Sequence, residues 1–189
     1  LIPFFEAWGI PVTIQSKRII AAKFPKLDKM IWTYNPFTKT GGTAPILYKT
    51  TITASSEELT GEGAVNGRAS ALLDGDNNTF WHSKWTGTAD NFPYTLLINT
   101  GTPISVKGIT MLPRQNNTGQ RIKDMEVYTS TDNENWTLVG KPTMVYTPDD
   151  KGRGIYTFPS PITAQYVRLI FKNNYAGNGN AAMAEINVI

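Results

Sequence analysis

The chain has no cysteine and a single histidine, His82, among its 189 residues. Without cysteine there is no disulfide framework, no thiol nucleophile and no thiolate zinc site, although this does not fix the compartment. With one histidine and no G-x-S-x-G motif, only carboxylate chemistry is left for catalysis, and the acidic residues fall in turns. No apolar run reaches the roughly 20 residues that span a bilayer. The opening LIPFFEAWGIP lacks the charged n-region and cleavage site of a signal peptide. Charge of one sign is scarce as well: 18 basic against 15 acidic residues leave +3, with no basic run dense enough for nucleic acid. The chain begins mid-protein, without an initiator Met, and reads as a piece excised from something longer.

What remains is an ordinary globular composition, 40% hydrophobic and 17% charged, with enough length for one sizeable core. Residues 1–34 have helical character: Thr13 caps a segment that Pro25 stops, and Leu27, Met30 and Ile31 fall at i, i+3, i+4 of a second short helix. Residues 35–45, rich in Gly, Thr and Pro, read as a linker. From residue 46 to 189 the period changes to two. Strands are expected at Tyr94–Asn99, Val106–Met111, Met125–Ser130, Ile155–Phe158, Tyr166–Lys172 and Ala184–Ile189. Turns rich in Gly, Asn and Pro separate them, at 99–103, 116–119, 131–135 and 148–152. Many short strands and hardly any helix argue for an all-β fold, an antiparallel β-sandwich or jelly roll. There is no internal repeat.

The stretch DGDNNTFWHSKW, Asp74 to Trp85, concentrates the chemistry. Asp74, Asp76 and Asn78 put oxygen donors at every second residue and Thr79 adds a hydroxyl, a set suited to calcium. An EF-hand is excluded, because its twelfth position is Trp85 where a bidentate Glu is required. The competing reading is a polar turn in which Asp74 and Asn78 bond their own backbone. The second half sets Trp81 and Trp85 beside His82 and Lys84, the pairing of aromatic face and hydrogen-bonding group that holds a sugar ring.

Read in order, ITASSEE (52–58), this loop, LPRQ (112–115), GQRIKDMEVYTSTDNENW (119–136), QYVRLIF (165–171) and AEINV (184–188) resemble a discoidin domain. This is the coagulation-factor 5/8 type C domain, and within it the family-32 carbohydrate-binding modules. Residues 4–32 are similar to the end of an enhancin-like, family-60 metallopeptidase domain whose zinc helix this chain lacks. The resemblance implies a structural calcium held by Asp74, Asp76, Thr79 and Glu185, with carbonyls such as that of Ala71. It implies sugar contacts from His82 and Arg114, which correspond to the His and Arg that galactose-binding modules use. Imidazole donates or accepts to a hydroxyl, and guanidinium offers a planar fork to two vicinal oxygens. Trp85 and Tyr175 are the candidate apolar platforms, although the loop holding Tyr175 also reads as a mobile turn. Glu58 and Glu62 offer further acceptors for sugar hydroxyls, or simply face solvent. Trp81 is expected in the core and Trp136 in packing. The implied function is a non-catalytic module that binds terminal galactose or N-acetylgalactosamine of host glycans such as mucin. It would act as a monomer, attached to a catalytic domain of a secreted bacterial protein. A discoidin-type adhesion module for membranes or proteins is the alternative, and the Asn-, Gly- and Thr-rich loops argue against a membrane.

Overall fold

The computed structural model describes residues 13, 34, 35, 40, 41 and 49–189. It divides into two compact units, Leu1–Leu47 and Tyr48–Ile189. In the first, strands β1 (Tyr34–Asn35) and β2 (Thr40–Gly41) pair antiparallel, so the segment expected as a linker carries a short hairpin. The helices expected before residue 34, and the peptidase-like resemblance with them, lie outside the described residues.

The second unit is built on strands alone, apart from short 3-10 turns such as Ala69–Leu73. Its strands are β3 (Thr51–Ala54), β4 (Trp81–His82), β5 (Tyr94–Leu112), β6 (Met125–Ser130), β7 (Thr137–Gly140), β8 (Gly154–Phe171), β9 (Ala182–Met183) and β10 (Glu185–Val188). The main sheet runs β10-β5-β8-β6-β7 with β3 on the first half of β5, and β4 pairs with β9 apart from it. Every ladder between these strands is antiparallel. The fold is all-β, as expected.

In two places the strands run on where turns or separate strands are expected. Tyr94–Asn99 and Val106–Met111 belong to one strand, and the residues between them form a bulge. From Asn99↔Tyr166 to Ile104↔Ala164, β5 advances five residues while β8 advances two; from Val106↔Ile162 to Gly108↔Thr157 the imbalance reverses. The Asn99 side chain accepts from the Gly101 N–H at 2.8 Å, and Gly101 takes a φ of 78°, so the polar residues that signal a turn are used to bend a strand. β8 likewise joins Ile155–Phe158 to the strand around Tyr166.

Alternation along these strands turns one face inward. Tyr94, Leu96 and Ile98 of β5 and Val167, Leu169 and Phe171 of β8 join Trp81, Met125 and Val127 in one core. Trp81 is fully buried, edge-on to Tyr94 at 6.2 Å, and donates its indole N–H to the Ser56 carbonyl. Trp136 packs as expected: the Arg168 guanidinium lies 4.2 Å from its ring and 4.9 Å from Tyr128.

Candidate functional site

Because side chains alternate, sending Trp81 into the core turns Phe80 and His82 to the opposite side of β4. The segment after β5 covers both. Arg114 lies over the Phe80 ring, 3.7 Å from its centroid, and Gln120 meets His82 Nε2 at 3.0 Å. Two sequence-distant stretches thus close one face, and His82 is only 2% exposed. Its Nδ1 lies 2.6 Å from the Ser83 carbonyl oxygen.

Glu58 organises the loops around this face. Its carboxylate accepts from the backbone N–H groups of Thr60, Gly61, Trp85 and Thr86 and from the hydroxyls of Thr60 and Thr86. Burial alone would raise its pKa, but the N–H groups of Trp85, Gly61 and Thr86 and the Thr86 hydroxyl outweigh that and hold it well below the usual carboxylate range. Glu58 is therefore neither solvated nor open to a sugar: a carboxylate has about four lone-pair sites, and these are taken. It sets the position of Trp85 instead. Two glycines make room: a Cβ on Gly67, at φ +87°, would collide with the Glu58 carbonyl, and one on Gly61 would strike the Trp85 indole.

Glu62 is not simply solvated either. One oxygen, Oε1, accepts from Trp85 Nε1 and from Arg114 Nη1, each at 3.2 Å. Arg114 also donates Nε to Asn116 Oδ1 at 2.6 Å. The result is an indole that remains 41% exposed beside a guanidinium whose plane and rotation are fixed. An aromatic platform next to an oriented donor fork suits a polyhydroxylated ring.

Tyr175 stands farther along. Its hydroxyl donates to the Met144 carbonyl, its N–H to the Arg121 carbonyl, and its ring takes the Arg121 guanidinium at 4.8 Å. The structure joins Trp85, Glu62 and Arg114 directly, places His82 next but one in sequence to Phe80, whose ring lies under Arg114, and ties Tyr175 to Arg121 and Met144 instead.

The acidic loop makes a separate centre. Asp74 Oδ1 accepts from the Asp76 N–H and Oδ2 from the Thr79 hydroxyl, while Asp76 Oδ1 takes both Asn78 donors. Glu185, 6% exposed at the start of β10, accepts from the Gly75 N–H at 3.1 Å. Burial, and then the neighbouring Asp74 carboxylate, push Glu185 up to about 7. The buried Glu185 carboxylate beside the exposed Asp74 carboxylate is a donor pair that suits a hard cation. Asp76 turns its carboxylate to Asn78 instead, and among the described residues no cluster of three or more acidic, His or Cys side chains forms. Residues fitting a cation here are Asp74 and Glu185, helped by Thr79 and by carbonyls; Ala71 sits buried in the adjoining 3-10 turn. A cleft of about 1020 Å³ runs past Asp74, Glu185, Ile52 and Leu73, and none of His82, Trp85 or Arg114 lines it.

Gln120 was not among the expected site residues, and Glu58, expected to face solvent or a sugar, is fully buried. The one available signal was the donor pair at 60 and 61, two and three residues after an acid, which is the spacing of a side chain that closes its own turn.

Residues 51–186 match the family model of the F5/8 type C domain. Among curated proteins, a sialidase of Micromonospora viridifaciens is 32% identical over 137 residues, covering 70% of this chain and 20% of that protein. The chain thus spans about a fifth of the length of such relatives. Among solved structures, the family 32 carbohydrate-binding module of Clostridium perfringens NanJ, in complex with galactose, is 32% identical with a TM-score of 0.60, over 74% of this chain and 92% of that one. A second C. perfringens module of family 32, in complex with GalNAc-β-1,3-galactose, is 25% identical with a TM-score of 0.64, over 74% and 94%.

Proposed function

The chain belongs to the F5/8 type C domain family, and on that footing we propose that it is a non-catalytic carbohydrate-binding module for terminal galactose or N-acetylgalactosamine. The observation that carries this reading is the shared Glu62 oxygen, which sets the exposed Trp85 ring and the Arg114 fork side by side. His82, on the same side of β4 as the ring under Arg114, supplies the third group. The sugars seen in the two C. perfringens modules support the choice of configuration. An axial hydroxyl held by both the imidazole and the guanidinium would select galacto-configured sugars.

Attached to a secreted bacterial enzyme directed at host glycans such as mucin, the module would hold that enzyme near its substrate. Affinity at a single shallow site is weak, and dwell time comes from linkage to other modules. Calcium, held by Asp74 and Glu185 with Asp76, Thr79 and the Ala71 carbonyl contributing oxygens, would pin the acidic loop without taking part in binding. Titration of the chain with galactose, N-acetylgalactosamine and N-acetylglucosamine, alongside His82→Ala and Arg114→Ala, tests the reading. Saturable binding of galacto-sugars that both variants lose supports it; a folded chain that binds none of them rejects it.

Leu59 and Val65, 53% and 58% exposed, favour a second reading as an adhesion module, since these loops are less uniformly polar than their composition suggests. Co-sedimentation with lipid vesicles, lost in Leu59→Ser with Val65→Ser, would favour it.

A further inference from the structure

Gln120 is the one residue on the covered face of β4 whose side chain is held by nothing else. Among the described residues, its amide makes no hydrogen bond except that with His82 Nε2, 3.0 Å away. It stands at the end of the 3-10 turn Thr118–Gln120, behind the exposed residues Asn116, Asn117 and Thr118. Arg114, by contrast, is fixed by Phe80, Glu62 and Asn116.

The other ring nitrogen decides what Gln120 can be doing. A carbonyl oxygen only accepts, so Nδ1, 2.6 Å from the Ser83 carbonyl, carries a proton. In the neutral ring Nε2 is then an acceptor. The Gln120 atom facing it is Oε1, also an acceptor, and that pairing would require a doubly protonated ring. Turning the isosteric amide by half a rotation presents its NH₂ and satisfies the neutral imidazole. Either way His82, 2% exposed, has its outward nitrogen capped from within.

We propose that Gln120 is a latch on His82: an internal competitor that occupies Nε2 in the free site and leaves when a sugar hydroxyl takes its place. This rests on the saccharide reading above and extends it to selectivity. The incoming group must donate to Nε2 of the neutral ring while accepting from the Arg114 fork. A hydroxyl does both; an ether oxygen or a carboxylate has no proton to give. The acceptor Nε2 therefore filters for a free hydroxyl at that position, and the latch lowers affinity for every ligand, because each must first displace an amide.

The test is Gln120→Ala in the full chain, titrated with galactose and with its 4-O-methyl ether while the ¹⁵N signals of the single imidazole are followed by NMR. Gln120→Ala should bind galactose about two- to tenfold more tightly, the equivalent of one ordinary hydrogen bond no longer displaced. Its Nε2 signal should move toward that of an unbonded ring nitrogen before sugar is added, with Nδ1 still protonated, and the ether should bind neither protein. Weaker binding by Gln120→Ala would mean that Gln120 touches the sugar, and would overturn the latch. Unchanged affinity with an unmoved Nε2 signal would also overturn it. Binding of neither galactose nor N-acetylgalactosamine nor N-acetylglucosamine by either protein would reject the saccharide reading and the competitor role with it, while a moved Nε2 signal would still report that the two side chains pair.

Discussion

Arg114 lies flat on Phe80, its guanidinium carbon 3.7 Å from the ring centroid. Phe80 is 4% exposed because Arg114 covers it, so the guanidinium and its support are inseparable. Arg114→Lys keeps the charge but loses the planar fork, the stacking and the bond to Asn116. It is expected to lose galactose binding by more than about tenfold while costing the fold about 1 kcal/mol. Calorimetric titration beside a urea melt separates the two; a variant that binds as the parent does would show that the fork is not used.

Glu58 is the acid on which the loops depend. Removing its charge leaves several buried N–H groups without an acceptor, and Glu58→Ala is expected to cost about 3 kcal/mol. The pH dependence follows from the direction of its shift. A carboxyl held below its ordinary value of 4.5 contributes stability that is present above that pH and is lost as pH falls through the folded-state value. Urea midpoints at pH 7, 4.5 and 3 should fall more steeply in the parent than in Glu58→Gln.

The strands were legible because alternation is a consequence of the pleat itself: Val167, Leu169 and Phe171 had to share a face wherever they were placed. His82, Trp85 and Arg114 became candidates through the family's motifs, which keep residue type and order together. Continuity through 99–106 was not legible, since Asn, Gly and Pro signal a turn and a bulge equally well. Nor were the contacts of Glu58 and Gln120. Both depend on which loop faces which, and that is decided by pairings such as Glu58 N–H to the His82 carbonyl, 24 residues along the chain.

Trp85 is held through its backbone, by Glu58, and through its indole N–H, by Glu62. Its ring can therefore be removed without unfastening the loop. Trp85→Ala should abolish sugar binding and leave the thermal midpoint within a few degrees of the parent. Gly61→Ala offers the complementary test, because the new methyl would push the indole off its seat. It should weaken binding several-fold with the ring still present, and intrinsic fluorescence should report the displaced tryptophan.

Arg168 is clamped between Tyr128 and Trp136, and its Nε is buried without a hydrogen-bond partner. Such a residue contributes through contact more than through charge. Arg168→Ala should cost about 1–2 kcal/mol by removing the cation from between two rings. Arg168→Met, which refills the gap and removes the unpaired Nε, should recover part of that loss. Chemical denaturation of both variants decides it, and equal losses would mean that charge is what matters.

Asp74 and Glu185 meet across the acidic loop from sequence positions 111 apart, and Glu185 is already pushed up to about 7 by burial and by its neighbour. Their mutual repulsion is what a divalent cation would remove. If calcium binds there, folded protein alone holds it, and at a hundredfold excess over Kd the gain is about 2.7 kcal/mol. For a chain of 189 residues that corresponds to a midpoint about 5–10 °C higher in calcium than in EGTA. Asp74→Asn should lose this increment and, having relieved the repulsion, should melt no lower than the parent does in EGTA. Sugar affinity should respond little to either change, because none of His82, Trp85 or Arg114 takes part in the acidic loop's hydrogen bonds. A midpoint indifferent to calcium would instead assign the loop to its own turn bonds, Asp74 to the Asp76 N–H and Asp76 to Asn78.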